Sequence, residues 1–148
     1  MKHTVIVDID GTISKVGDRL KYLEQDPPDW DSFYENCQED EPIEPIVKLV
    51  RMLALNYEIV FCTGRRESVR SKTLSWIFEN LGDYLAARPV LMRKDGDFRH
   101  DTIIKPELLE EADIDLDDIE FVLEDRNSMV IEWRDMGLTC LQVADGDF

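Results

Sequence analysis

Five short apolar runs punctuate this chain, and the stretches between them carry apolar residues at helical spacing. The first run, residues 3–9, is β-branched from Thr4 to Ile9 apart from Asp8, the composition of a strand covered on both faces. Residues 57–62, 89–93, 119–123 and 138–143 read as further strands. Ile46, Val47, Leu49, Val50 and Leu53 mark a helix over 43–55, while Leu74, Ile77 and Leu81 mark one over 68–80 with Gly82 as its cap. A helix is expected to start at Pro106, since proline is tolerated in a first turn, and another over 128–136 stops at Gly137. Strands alternating with covering helices predict an α/β fold, a doubly wound, Rossmann-like sheet of five parallel strands.

The rhythm breaks once. Residues 14–42 hold Pro27, Pro28 and many acids, too long a stretch for a simple connection, and read as a flap inserted after the first strand. Within it Trp30, Phe33, Tyr34 and Cys37 recur at i, i+3, i+4 and i+7 behind Asp29, which predicts a short capped amphipathic helix. Such a stripe ordinarily faces the core, although beside a site Trp30 or Phe33 would be placed to stack a base. With no internal repeat in 148 residues, one domain over 1–148 is expected.

Charge narrows the functional classes. The 33 acidic and 17 basic residues leave a formal charge of −16, which opposes binding along an extended polyanion. A phosphate-bearing substrate then needs a local cationic pocket and a small footprint, and a divalent cation would help form it. Cys37, Cys62 and Cys140 are odd in number and far apart, so buried thiols are expected in place of a disulfide framework or zinc site. No apolar run approaches ~18 residues and the N-terminus has no signal-peptide pattern, so a cytoplasmic protein that does not span a membrane is expected.

Reactive groups concentrate where the expected strands end. Val5-Ile6-Val7-Asp8-Ile9-Asp10-Gly11-Thr12 drives two carboxylates out of an apolar run into a glycine turn. An ionised carboxylate there costs several kcal/mol unless a cation or donors meet it, which puts Asp8 at the strand's carboxyl end, facing a crevice. Thr63, Gly64 and Arg65 follow the second strand, Glu124 and Asp125 the fourth, and Lys105 opens a helix nearby. A parallel sheet sets all these ends on one edge, so groups distant in sequence can meet. The set suits phosphoryl transfer, with a carboxylate attacking phosphorus, acidic oxygens and a main-chain carbonyl holding Mg²⁺, and hydroxyl and cationic donors holding the equatorial oxygens. A signalling receiver domain shares the acidic cluster, Thr and Lys but takes its phosphoacceptor from a middle strand, and an idle binding module could share the same pocket.

Asp-x-Asp-Gly-Thr, Thr63, Lys105 and Asp125, in that order, resemble the four motifs of the haloacid dehalogenase (HAD) superfamily of aspartate-based phosphotransferases. The resemblance implies a HAD-type sheet with a small cap, Asp8 as nucleophile and Asp10 as general acid/base, protonated at the outset. It further implies Thr63 and Lys105 as catalytic partners, and Mg²⁺ held by Asp8, Asp10 and Asp125. A closer resemblance, to the 3′-phosphatase domain of phage polynucleotide kinase/phosphatase, covers nearly the whole chain. Thr63-Gly64-Arg65, the Asp101 to Lys105 spacing, Asp125-Arg126 with Val130 and Trp133-Arg134, and the tail from Cys140 to Phe148 carry it. It implies that Arg19, Gly64 and Arg65 bind substrate phosphate, that Asp101 supports Lys105, and that a 3′-phosphate on a nucleotide or nucleic-acid end is removed. Glu124 departs from that family's aspartate pair and is a further candidate. No Gly-x-x-x-x-Gly-Lys-[Ser/Thr] segment is present, so no ATP site is expected. A mononucleotide or another small phosphate ester is the alternative substrate.

Overall fold

The computed structural model describes residues 2–148. Its elements run β1 (Thr4–Val7), α1 (Leu20–Leu23), α2 (Trp30–Glu35), α3 (Glu44–Leu53), β2 (Glu58–Arg66), α4 (Arg70–Leu81) and α5 (Asp83–Ala86). There follow β3 (Val90–Arg93), α6 (Asp101–Glu111), β4 (Ile119–Glu124), α7 (Asn127–Asp135) and β5 (Cys140–Gln142). All five strands are parallel, in the order β3-β2-β1-β4-β5. The chain winds outward from β1 to β3 and then crosses back to β4, so the order reverses beside β1 and a crevice opens beyond the carboxyl ends there.

Side-chain alternation along β1 divides the interior into two cores. Val5 and Val7 pack with Ile59, Phe61, Val47, Val50 and Trp76 under α3 and α4. Ile6 faces the other way, onto Val60, Val122, Leu109, Met129 and Trp133 under α6 and α7. Cys37, Cys62 and Cys140 are buried free thiols. Among the described residues, no helix is long and apolar enough to cross a membrane.

Two boundaries differ from expectation, and both matter for the site. β2 does not stop at Cys62 but continues to Arg66, with an irregular register against β3 between Thr63 and Arg66. α6 begins at Asp101, five residues ahead of Pro106, because the His100 ring accepts the Thr102 N–H (3.2 Å) and caps it. Pro106 therefore lies inside the helix and forgoes one backbone hydrogen bond. The earlier start sets Asp101 and Lys105 one turn apart on one face. Residues 14–42 hold α1 and α2, and Asp29 Oδ1 caps α2 by accepting the Ser32 N–H (3.0 Å).

Candidate active site

Asp8 follows β1 directly, and its N–H donates to the Leu123 carbonyl of β4 (3.0 Å), which fixes the backbone at the sheet's reversal point. Its side chain is buried between two donors. Lys105 Nζ reaches Oδ1 at 2.8 Å and the Thr12 hydroxyl reaches Oδ2 at 2.9 Å. The same hydroxyl stands 3.2 Å from Asp125 Oδ1, and Asp8, Glu124 and Asp125 present oxygen atoms within 4.8 Å of one another. Gly11, with φ +81°, makes the turn possible, since a Cβ at that position would stand 2.1 Å from Asp125 Oδ2.

Crowding shapes the ionisation of these acids. Burial, reinforced by Glu124, pushes the Asp8 carboxyl well above the usual range against the pull of Lys105. Burial likewise pushes Asp125 up to about 6. Three buried carboxylates facing one ammonium leave an excess of negative charge, and an all-oxygen donor set of this kind fits a hard divalent cation such as Mg²⁺.

Lys105 is buried, yet it remains a cation. Desolvation alone would lower its pKa, but Asp8 and Glu124 at hydrogen-bonding distance raise it well above normal. Glu124, the candidate without an assigned task, accepts from Lys105 at 2.9 Å through Oε2. Its Oε1 accepts the N–H groups of Asp125 (3.2 Å) and Arg126 (3.4 Å) at the start of α7. The Glu124 carboxylate thus fastens Lys105 to the loop that carries Asp125.

Asp10 is held differently from what the motif led us to expect. Arg65 donates to it through Nε (3.1 Å) and Nη2 (2.7 Å), and Arg19 through Nη2 (2.7 Å). Although burial opposes ionisation, the two guanidinium groups bring Asp10 down to about 2, so before substrate arrives it rests as a carboxylate at neutral pH. Arg19 also donates to Asp40 at 2.8 and 2.6 Å and to the Phe33 carbonyl at 2.9 Å, while Arg65 donates to Thr73 at 3.1 Å. Both arginines are buried and neither lines the cleft, so the expectation that they contact substrate phosphate is redirected. The reason is the extra length of β2. Alternation along a continuing strand turns Arg65 inward to Asp10 and leaves Arg66 facing the cleft.

Asp101 pairs with Arg93 and, at 3.2 Å, with Arg126, and makes no hydrogen bond to Lys105. Burial works against its ionisation, but Lys105, Arg93 and Arg126 keep its pKa below normal. Gly64 lies against it, where a Cβ would come within 2.7 Å of Asp101 Oδ1, and the Gly64 carbonyl accepts from Arg93 Nε at 2.9 Å. Thr63 is buried at the floor of the cleft. Reasoning from sequence placed Thr12 in the motif turn but missed Asp40, Arg66 and Arg93. Arg66 adjoins a motif residue and carried a signal, whereas Asp40 and Arg93 are joined to the site only by the folded chain.

The cleft has a volume of about 780 Å³ and runs from Asp8 and Asp125 out to Trp30, Phe98 and Phe148. Lys15, Arg66, Arg93, Arg99, Lys105 and Arg126 line it, against six carboxylates. These six cations match six acidic side chains within a chain of charge −16, so an anion meets less repulsion in the cleft than the net charge alone would impose.

Fold and site together define a HAD-type phosphatase. A haloacid dehalogenase-like hydrolase from Streptococcus pneumoniae shares this fold at 12% identity and a TM-score of 0.66, over 95% of this chain and 84% of that one. The phosphatase-domain model of polynucleotide kinase PNKP matches residues 2–148, and the chain belongs to that family. It is similar, at 32% identity and a TM-score of 0.84, to a chain in the structure of the Pnkp1/Rnl/Hen1 RNA repair complex. A second structure of the Pnkp1/Rnl/Hen1 complex aligns at 29% identity and a TM-score of 0.79. All of this chain aligns in both cases, but it spans only 44% and 48% of those chains.

Proposed function

We propose that the protein is a Mg²⁺-dependent phosphomonoesterase that works through an aspartyl-phosphate on Asp8 and removes the 3′-phosphate of a nucleotide or nucleic-acid end. One observation carries the reading: Asp8 is set between Lys105 and Thr12, beside Asp125, at the floor of a charge-balanced cleft. Asp8 and Asp125, with the Asp10 main chain, would hold Mg²⁺, which when bound offsets the charge of phosphate and acids.

With its charge met by Lys105 and by the bound cation, Asp8 attacks phosphorus in line through a carboxylate oxygen, the phosphorus–oxygen bond to the sugar breaks, and Asp8 carries the phosphoryl group. The Lys105 ammonium and Thr63 hydroxyl stabilise the equatorial oxygens. Asp10 delivers a proton to the leaving oxygen and then takes one from the water that cleaves the Asp8–phosphorus bond. Since Arg19 and Arg65 hold Asp10 as a carboxylate, it takes that proton from solvent or from the monoprotonated phosphate ester as the arriving phosphate adds negative charge beside it. Glu124 keeps Lys105 in line and is not itself a metal ligand in this scheme.

Membership of the PNKP phosphatase-domain family supports the nucleic-acid substrate and a role in nucleic-acid repair. The charge of −16 favours a mononucleotide as the second reading. Turnover of a 3′-phosphorylated oligonucleotide against 3′- and 5′-mononucleotides, with and without Mg²⁺, decides between them. Preference for the 5′ compounds would overturn the 3′-end assignment.

A further inference from the structure

Phosphoryl chemistry leaves the aromatic lining of the cleft without a task. Phe98, in the loop joining β3 to α6, is 79% exposed, yet its backbone is pinned on both sides. Arg93 Nη1 donates to the carbonyls of both neighbours, Asp97 (3.0 Å) and Arg99 (2.6 Å). Arg99 is in turn paired with Asp97 and Glu107. A mobile loop would let the ring fold away from water, and this one holds it out at the rim of the cleft.

The ring is also part of a stack. The Arg66 guanidinium carbon lies 5.6 Å from the centre of Phe98 and 5.1 Å from that of Tyr34, and Tyr34 stacks on Trp30 with centroids 6.0 Å apart. Trp30, Tyr34, Arg66 and Phe98 form a continuous series along one wall, with Phe98 its most exposed member. Phe33, expected as a possible platform, is instead buried against Arg19 at 4.4 Å and cannot receive a base.

Resting on the phosphatase reading above, we propose that Phe98, seated on Arg66, stacks the base of the nucleotide whose phosphate reaches Asp8, and so distinguishes nucleotides from base-free phosphate esters. A flat, polarisable heterocycle extends an alternating series of rings and guanidinium, whereas a sugar or glycerol cannot. The same cleft supplies cations for the backbone phosphates and carboxylates for the chemistry.

The test is steady-state kinetics with Mg²⁺ for the wild type, Phe98→Ala and Phe98→Trp on three substrates. These are a single-stranded oligonucleotide with a 3′-phosphate, the same strand with an abasic 3′-terminal nucleotide bearing the phosphate, and glycerol phosphate. Losing one stacked base corresponds to roughly 5- to 150-fold. The expected result is that loss for Phe98→Ala on the base-bearing strand, mainly in KM, with rates within about twofold on the other two and recovery in Phe98→Trp. An equal loss on all three substrates, or none on the base-bearing strand, overturns the stacking assignment alone and leaves the ring to packing or a protein partner. Inactivity of the wild type on all three would bring down the phosphatase reading and this proposal together.

Discussion

Gly11→Ala is the sharpest probe of the site because a single methyl group meets the residue on which the cation site depends. The new Cβ would lie 2.1 Å from Asp125 Oδ2 and 2.6 Å from its Cγ, against the 3.4 Å at which ordinary contact begins, so the carboxylate must retreat by more than 1 Å. The Asp125 main chain cannot follow, so the carboxylate retreats only by turning about its own side-chain bonds. The Asp125 carbonyl accepts from Gln142 Nε2 at 2.9 Å, and Gly146 packs so tightly on that carbonyl that a Cβ there would be 2.0 Å away. The φ of +81° adds a left-handed penalty of about 1–2 kcal/mol for alanine. At this chain length each kcal/mol lowers Tm by about 2–4 °C, so a folded variant melting several degrees lower is expected. Displacing a reacting constellation by 1 Å costs on the order of 100-fold in rate. Turnover of a 3′-phosphorylated oligonucleotide, with thermal melts over a Mg²⁺ titration, should show about that loss and no stabilisation by Mg²⁺. Should Gly11→Ala keep turnover within threefold of wild type and an intact Mg²⁺-induced shift, Asp125 would not be the ligand that the turn positions.

Asp8→Asn is expected to leave less than about 1% of wild-type turnover while the fold persists by circular dichroism, since a covalent nucleophile is removed. Higher residual turnover would make another group the nucleophile. Glu124→Gln preserves acceptors for the Asp125 and Arg126 N–H groups but removes the charge opposite Lys105. It should cost roughly tenfold in kcat and about 1–3 kcal/mol in a urea melt, and unchanged kinetics would mean that Asp8 alone fixes Lys105. With Asp125 up at about 6, above its unfolded value near 3.8, its contribution to metal-free stability is greatest in acid and declines as pH rises through that window. A cation must displace that proton. Because the Asp8 carboxyl is raised as well, apparent Mg²⁺ affinity by calorimetry should weaken at least about tenfold per pH unit below ~6, and a flat profile would contradict it.

The sheet and the convergence of Asp8, Thr63, Lys105 and Asp125 were legible because burying β1 on both faces and ending it in carboxylates leaves few alternatives. What escaped reading was set by competition between local rules. Proline's tolerance in a first turn suggested a start at Pro106, but the His100 ring caps the helix five residues earlier and brings Asp101 against Gly64. The small polar run Thr63-Gly64-Arg65 was read as a cluster beyond the strand's end, whereas β2 continues through it and sends Arg65 inward. The clamp of Arg19, Arg65 and Asp40 on Asp10 spans residues 10–65 and has no local pattern at all.

The last strand and the residues after it form the rear wall of the Asp125 loop: besides the Gln142 and Gly146 contacts, the Asn127 N–H donates to the Gly146 carbonyl at 2.8 Å and Arg126 Nε to the Phe148 carbonyl at 3.0 Å. During ribosomal synthesis Asp8 emerges well ahead of β5, and its acidic companion Asp125 is not braced until residue 146 has left the exit tunnel. A polypeptide halted between β4 and residue 146 would therefore hold Asp8 in its strand while the Asp125 loop still lacked its rear wall.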